Sequence, residues 1–406
     1  MRTLSKTLAI FWLFAGLACV DETPRWTGTV SDSAGVTIVS NTRAGLWGPG
    51  QEWTLEEELR IGVAEGDPLY QFGDIQGIGV DSGDRIFVFD GLAQHMKAYS
   101  PEGVHVLTIG KRGEGPGEFR AGAGPMIGPG DTILAWDRSN RFVRFGPDGS
   151  AAGGIRTDPR QGVPVSFKAS TSGLLAERIR LRVDGAPTGE DAIVLLGTDG
   201  RVADTLRIFR SEDLPNRAFY QLFAPRQPWD VTSDTVLLMG LRDEYRIESY
   251  RRGRLTRVVR KAVDPRMVTE EDKEAVNNAL RAFLSTPETP PEMIEQAIRR
   301  YDYSGPLPVF ESVFAGPENT VWVQHFQAPS EYVGEGPGSF DPRRHFGAPA
   351  WDLFDSEGRF LGIVTMPRDF TPRAFRGTKI YGVSYDENDV PYVVRLGILG
   401  DLSSTP

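Results

Sequence analysis

The chain holds 406 residues, with 46 glycines, 29 prolines and a formal charge of −10. Its ordinary apolar and charged content excludes global disorder, and its acidity makes nucleic acid a poor partner. Cys19 is the sole cysteine, so neither a disulfide nor a thiolate metal cluster holds the fold, and stability must come from the core.

The first predicted element is an export leader. Arg2 and Lys6 precede an apolar run from Leu8 to Ala18 that ends at Cys19. The run is well short of the roughly 20 residues a spanning helix needs, so cleavage is expected rather than a permanent transmembrane anchor. GLAC (Gly16 to Cys19) resembles a bacterial lipobox, in which the cysteine becomes the lipid-bearing first residue. Gly16 and Ala18 also supply the small residues that ordinary signal cleavage after Ala18 requires. Losing Arg2 and Lys6 with the leader takes the formal charge from −10 to −12. A chain that acidic meets anionic lipid only through a covalent anchor.

Two strands are predicted next. GVTIVSN (Gly35 to Asn41) is an extra strand, expected against an outer sheet edge. WTLEEELRIG (Trp53 to Gly62) is expected to carry Trp53, Leu55, Leu59 and Ile61 on one face. A repeat begins there. Arg60 to Asp90 aligns with Thr108 to Asp137, matching Ile61 with Ile109, Phe72 with Phe119, Gly83-Asp84 with Gly130-Asp131 and Asp90 with Asp137. A turn followed by a strand recurs six times, at Gly83, Gly130, Ser172, Ser233, Glu318 and Gly377. A second turn follows five of the copies, ending at Gly103, Gly149, Gly200, Gly253 and Gly358. The first three intervals are 46, 51 and 53 residues. Four short strands at that period predict a β-propeller blade, and six copies predict an all-β, six-bladed propeller. The sixth copy lacks the second turn, so Trp53 to Gly62 is expected to pair with Tyr392 to Leu399 and close the ring.

The β pattern is interrupted before blade 5. VTEEDKEAVNNALRAFL places Val276, Ala279, Leu280, Phe283 and Leu284 on one helical face, with Thr269 and Asp272 as a capping box. Pro290-Pro291 opens a second helix carrying Ile294, Ala297, Ile298 and Tyr301. A helical hairpin is expected over about 265–303. Links after second and fourth strands leave a blade on the same face of the disc. GEGPGEF (Gly113 to Phe119), the hairpin, a link from Arg178 to Asp191 and a link from His325 to Ala350 therefore converge. GEGPGEF and its near copy GEGPGSF (Gly334 to Phe340) lack a following GK[ST] and are expected to be turns rather than phosphate loops.

GVDSGDRIFVFDGLAQHMKAYSPEG, GEGPGEF, WDLFDSEGRFLGIVTMPRDF and KIYGVSYDENDVPYVVRL together carry a resemblance. The repeat resembles the NHL-type six-bladed propeller. Over most of residues 35–400 the chain is similar to exported bacterial six-bladed propeller proteins of unknown function. The resemblance implies a fold and an export route, and it implies no catalytic residues. The expected organisation is a signal peptide over 1–18, a tether with an extra strand over 19–49, the propeller over 50–400 and a tail over 401–406.

No HExxH, paired metal spacing or G-x-S-x-G elbow is present. The residues singled out for ligand contact are Asp90, His95, Asp137, Arg138, His325, Tyr332, Arg343, Arg344 and His345, with Cys19 for lipidation. Asp90 and Asp137 end second strands, where a carboxylate commonly closes a turn on backbone amides. The expected function is that of an exported, lipid-anchored binding or scaffold protein of the cell envelope. Its loop-rich face would take a protein, peptide or glycan. The alternative is a metal-dependent hydrolase or lyase at the channel mouth, using calcium or another divalent cation.

Overall fold

The computed structural model describes residues 26–138, 141–157, 162–169, 175–197, 201–211, 220–223, 226–303, 305–332, 340–341 and 344–400. Cys19 and Arg343 lie outside them, as do the leader, the C-terminal tail and most of GEGPGSF. Six antiparallel sheets are arranged as the blades of a six-bladed propeller. Blade 1 comprises Ile75–Val80, Ile86–Asp90, His95–Tyr99 and His105–Ile109. Blade 2 comprises Gly122–Ile127, Ile133–Asp137, Arg141–Phe145 and Ala151–Arg156. Blade 3 comprises Val163–Ala169, Leu175–Val183, Ala186–Leu196 and Val202–Arg210.

Blade 4 comprises Trp229–Val231, Leu237–Leu241, Arg246–Arg251 and Arg254–Lys261. Blade 5 comprises Phe310–Ala315, Val321–Phe326, Gly347–Phe354 and Phe360–Thr365. Blade 6 takes Phe370–Arg376, Lys379–Tyr385 and Pro391–Leu399, and its fourth strand is Thr54–Ile61. The repeated turn-and-strand copies are the second strands. They start where the chain can enter left-handed backbone, at Asp84, Asp131, Thr235, Asn319 and Gly377. Asp81 holds one such turn by accepting from the amides of Gly83 (3.0 Å) and Arg85 (2.8 Å).

The closing strand departs from the expectation in one respect. Glu57 faces Leu396 and Leu59 faces Arg395, so Glu58 is a β-bulge. One extra residue shifts the alternation by one. Trp53 and Leu55 therefore pack among the side chains shared with blade 5, whereas Leu59 and Ile61 pack toward blade 1. Glu58 itself pairs with Arg395 at 2.8 Å.

The link expected from Arg178 to Asp191 is also corrected. Both blade 3 strands continue through it to a two-residue turn at Asp184-Gly185, where φ is 51° and 80°. Asp-Gly between alternating strands favours the type I′ hairpin, and that local signal outweighs the loop-like composition.

The extra strand Val36–Asn41 runs parallel to Arg254–Lys261 and widens blade 4 to six strands. Thr29–Ser33, which periodicity did not reveal, is the outermost. Asn41 fastens this segment between blades 4 and 5. Its amide donates to the carbonyls of Arg260 and Gly358 (both 3.0 Å), and its oxygen accepts from Trp26 Nε1 (2.9 Å) and the Phe360 amide (2.8 Å). The chain then crosses the outer edge of blade 5, where Leu46 and Trp47 donate to the carbonyls of Phe360 and Leu361, and continues to blade 6.

The insertion before blade 5 is the predicted helical hairpin, with α1 over Glu270–Leu284 and α2 over Pro291–Ile298. The Thr269/Asp272 capping box is present at the start of α1. Val276, Ala279 and Leu280 are buried, but Phe283, in the last turn of the helix, is 64% exposed. Ile294 and Ile298 of α2 complete the seam.

Candidate site in the central channel

Asp90 and Asp137 have their oxygens committed to local structure. Asp90 accepts from the amides of Gly73 (2.8 Å), Leu92 and Ala93 (both 3.0 Å). Asp137 accepts from the amides of Arg120 and Ala121 and pairs with Arg141 at 3.1 Å. Arg138 is exposed beside it. His95 starts the third strand of blade 1 opposite Asp90, and its Nε2 is buried without a hydrogen bond. Burial chiefly lowers its pKa, Lys97 adds to that by repulsion, and Asp90 opposes both.

His325 belongs to a buried network between blades 4 and 5. Asp352, fully buried, accepts from Tyr245 Oη (2.5 Å), Lys261 Nζ (2.7 Å) and His325 Nε2 (2.8 Å). Burial pushes the Asp352 carboxyl up. The hydrogen bond and charge of His325, with those of Lys261, outweigh burial and hold it below the usual range.

Tyr332, Arg344 and His345 come together on the long blade 5 link. The rings of Tyr332 and His345 stack with centroids 4.1 Å apart, and His345 Nδ1 accepts from the Asp341 amide at 2.7 Å. Arg344 pairs with Asp389 at 2.8 Å and lies over the Tyr385 ring. Phe326, Phe340 and Phe346 pack this link against Val276 and Leu280 of α1 and Ile298 of α2. Asp272 secures it further by accepting from the Ser330 amide and hydroxyl. The loop-rich face is thus a small second core, and the eight described residues among those singled out from sequence do not meet at one point. GEGPGEF is likewise a closed turn. Glu118 accepts from the Gly115 amide at 2.9 Å, and Phe119 is buried against Phe89 and Phe145.

A space that could hold a ligand lies in the channel. A cavity of about 550 Å³ is lined by first strands of all six blades, among them Gln76, Gly124, Lys168, Asp230, Phe314 and Arg373. It extends to the turns between first and second strands, at Ser82, Asp131 and Arg376. No described residue of α1, α2 or the blade 5 link lines it.

Five of the six inner strands carry a bulge against the second strand. The extra residue is Gln76 in blade 1, one of Gly124 and Pro125 in blade 2, Val165 in blade 3, Glu311 in blade 5 and Arg373 in blade 6. A bulge bends its strand and re-aims the extra side chain. Gln76, Val165 and Arg373 are accordingly exposed, and Gln76 and Arg373 line the cavity. Glu311 is held by Arg242, and burial pushes its carboxyl up against the charges of Arg242 and Arg226.

Arg373 makes no hydrogen bond or ion pair among the described residues. Its side chain is exposed to the channel space, and the desolvation imposed by the surrounding channel wall is the main cause that lowers its pKa, opposed by Tyr385 and Asp74. Asp74 accepts from Gln76 Nε2 instead. Deeper in the cavity, Lys168 Nζ sits 4.5 Å from the centroid of the Phe314 ring. Asp230 accepts from the amides of Val231 (2.9 Å) and Ala315 (3.0 Å). Burial raises its pKa, with the charge of Lys168 as the leading opposing influence. Arg373 and Lys168 were not found from sequence, because inner strands that bulge carry no clean alternation, and Asp230 was not found because its strand of three residues is too short to show one.

Among the described residues, no group of three or more His, Cys, Asp or Glu side chains is placed to hold a metal ion. In sequence the chain matches no protein family and no curated protein. In structure it is similar to the Bacteroides fragilis protein designated "Putative exported protein", with a TM-score of 0.51, 11% identity, and coverage of 89% of this chain and 99% of that one. It is also similar to a DUF4221 family member from Bacteroides vulgatus (TM-score 0.49, 10% identity, 86% and 99% covered). Virginiamycin B lyase from Staphylococcus aureus scores lower (TM-score 0.41, 14% identity, 86% and 100% covered). At such identities the first likeness is one of fold alone, and the lower scores add nothing to it.

Proposed function

We propose that the protein is an exported binding propeller, anchored through a lipid on Cys19, that takes a small molecule into its central channel. The observation that carries binding is the cavity. Its volume of about 550 Å³ falls within the roughly 300–1,000 Å³ of small-molecule sites, and its walls mix aromatic surface with a few polar groups. The loop-rich face supports the reading by contrast, since its aromatic side chains pack on one another. Export is supported by the leader and by the designation of the Bacteroides fragilis neighbour. The metal-dependent alternative needs carboxylate and histidine ligands to converge, and the described residues offer no such group.

One experiment reads both parts. Native mass spectrometry of the full-length gene product, purified from the envelope of a bacterial host, should give a chain beginning at a diacylglycerol-modified Cys19. It should also show a non-covalent small-molecule adduct that disappears on denaturation and in Ala123→Trp, a variant that fills the channel. An unmodified chain starting at residue 19 would remove the anchor. An adduct-free protein, or one whose adduct survives Ala123→Trp, would remove the channel site.

A further inference from the structure

Resting on that reading, we propose that the channel ligand is a small organic anion with a flat apolar body, its acidic head received by Arg373 and its body lying against the aromatic wall. Arg373 and Arg376 lie three residues apart on one strand and make the comparison. Arg376 pairs with Asp84 at 2.7 Å and donates to the Ser82 carbonyl at 2.9 Å. Arg373 has no such partner among the described residues, although it offers five donors to the channel space. A guanidinium that faces the channel with no acceptor from the protein gains charge-assisted hydrogen bonds from a ligand that brings one.

Lys168 reinforces the sign of the charge. Its ammonium group rests on the Phe314 ring, and Asp230, the nearest acid on that wall, already accepts from two backbone amides. Asp131 is the other acidic lining residue, and it is occupied by the amide and hydroxyl of Ser82 at 2.8 and 2.5 Å. The cavity of this acidic chain therefore presents one cation without a hydrogen bond or ion pair among the described residues, Arg373, a second resting on an aromatic ring, Lys168, and carboxylates that are already engaged. Trp136, Phe167, Phe314 and Phe375 supply the apolar wall. A low-dielectric pocket focuses such a local field even where the net charge of the protein has the opposite sign.

The test uses two fluorescent probes of nearly the same body, 8-anilinonaphthalene-1-sulfonate and the uncharged N-phenyl-1-naphthylamine. Each is titrated into the folded chain and into Arg373→Gln, Lys168→Gln and Ala123→Trp. The sulfonate is expected to bind saturably at one site, at least about tenfold tighter than the neutral probe, because charge-assisted hydrogen bonds are the strong ones. Arg373→Gln should weaken the sulfonate about tenfold or more and leave the neutral probe unchanged. Lys168→Gln should weaken it in the same sense. Equal affinity for the two probes, insensitive to Arg373→Gln but lost in Ala123→Trp, would overturn the anion while leaving the channel as a binding site. If neither probe binds, or if Ala123→Trp changes nothing, the channel reading falls as well. Near-ultraviolet circular dichroism checks the fold of each variant, and Arg373, lacking a partner, can be replaced without breaking a contact.

Discussion

Glu177 shows how much one residue can impose on the stability of the whole chain. It sits in the second strand of blade 3, 3% exposed, with Oε1 lacking a hydrogen-bond partner, and burial alone raises its pKa to about 7. An unfolded glutamate titrates near about 4.3. Between those values the unfolded chain has released the proton and the folded chain still holds it. Stability contributed by this group is therefore fully present below about pH 4 and falls as pH rises to about 7, by about 4 kcal/mol in all. Urea unfolding of Glu177→Gln should lose that slope and exceed the parent at pH 8. A parent and variant that respond identically to pH would count against a buried, protonated Glu177. Nothing in the sequence marked this residue, because the copy that starts at Ser172 (SGLLAE, Ser172 to Glu177) lacks the aspartate that ends the second strands of blades 1 and 2, and the burial of its glutamate depends on the neighbouring sheets. Asp81, Asp355 and Asp386 differ in this respect. Each accepts from the amides two and four residues ahead, a local arrangement that turn chemistry makes legible.

At the scale of elements, blades were legible and their junctions were not. Second strands follow a repeated turn, and α1 follows a capping box, so both can be read locally. The junction of blades 4 and 5 depends on Lys261, Tyr245, His325 and Asp352, spread over about a hundred residues of sequence. Asp352 is the centre of that junction. Asp352→Ala would leave the Lys261 ammonium, only 9% exposed, without its counter-charge, at a cost of about 3–5 kcal/mol of unfolding free energy. Asp352→Leu combined with Lys261→Met should recover most of the loss, since well-packed apolar replacements of a buried pair are often neutral. A double variant no better than Asp352→Ala would show that hydrogen bonding to Tyr245 and His325, rather than charge, carries the junction. Bulges explain two further gaps in the sequence reading. One at Glu58 moved two leucines to opposite faces, and one at Arg373 put a cation into the channel, and each breaks the alternation that makes a strand readable.

For the whole molecule, the decisive contact joins residues near opposite ends of the described chain. Thr54 pairs with Leu399 and Ile61 with Val393. A chain beginning at Leu46 would lose the hairpin of Thr29–Ser33 and Val36–Asn41 but keep the closing strand, and is expected to unfold cooperatively at a lowered Tm. A chain beginning at Val63 leaves the edges of blade 6 and blade 1 open and should lose its single cooperative transition in differential scanning calorimetry. Retention of the parental transition by the shorter chain would mean that the closing strand is dispensable. The same pairing sets a clock. Long-range contacts are the slow ones to form, and among the described residues no strand pairing is longer in sequence than the one that closes the ring. Until Pro391–Leu399 has been synthesised, or threaded through a membrane, blade 6 has no third strand for Thr54–Ile61 to join. The compartment that receives the last strand is therefore the compartment in which this molecule folds.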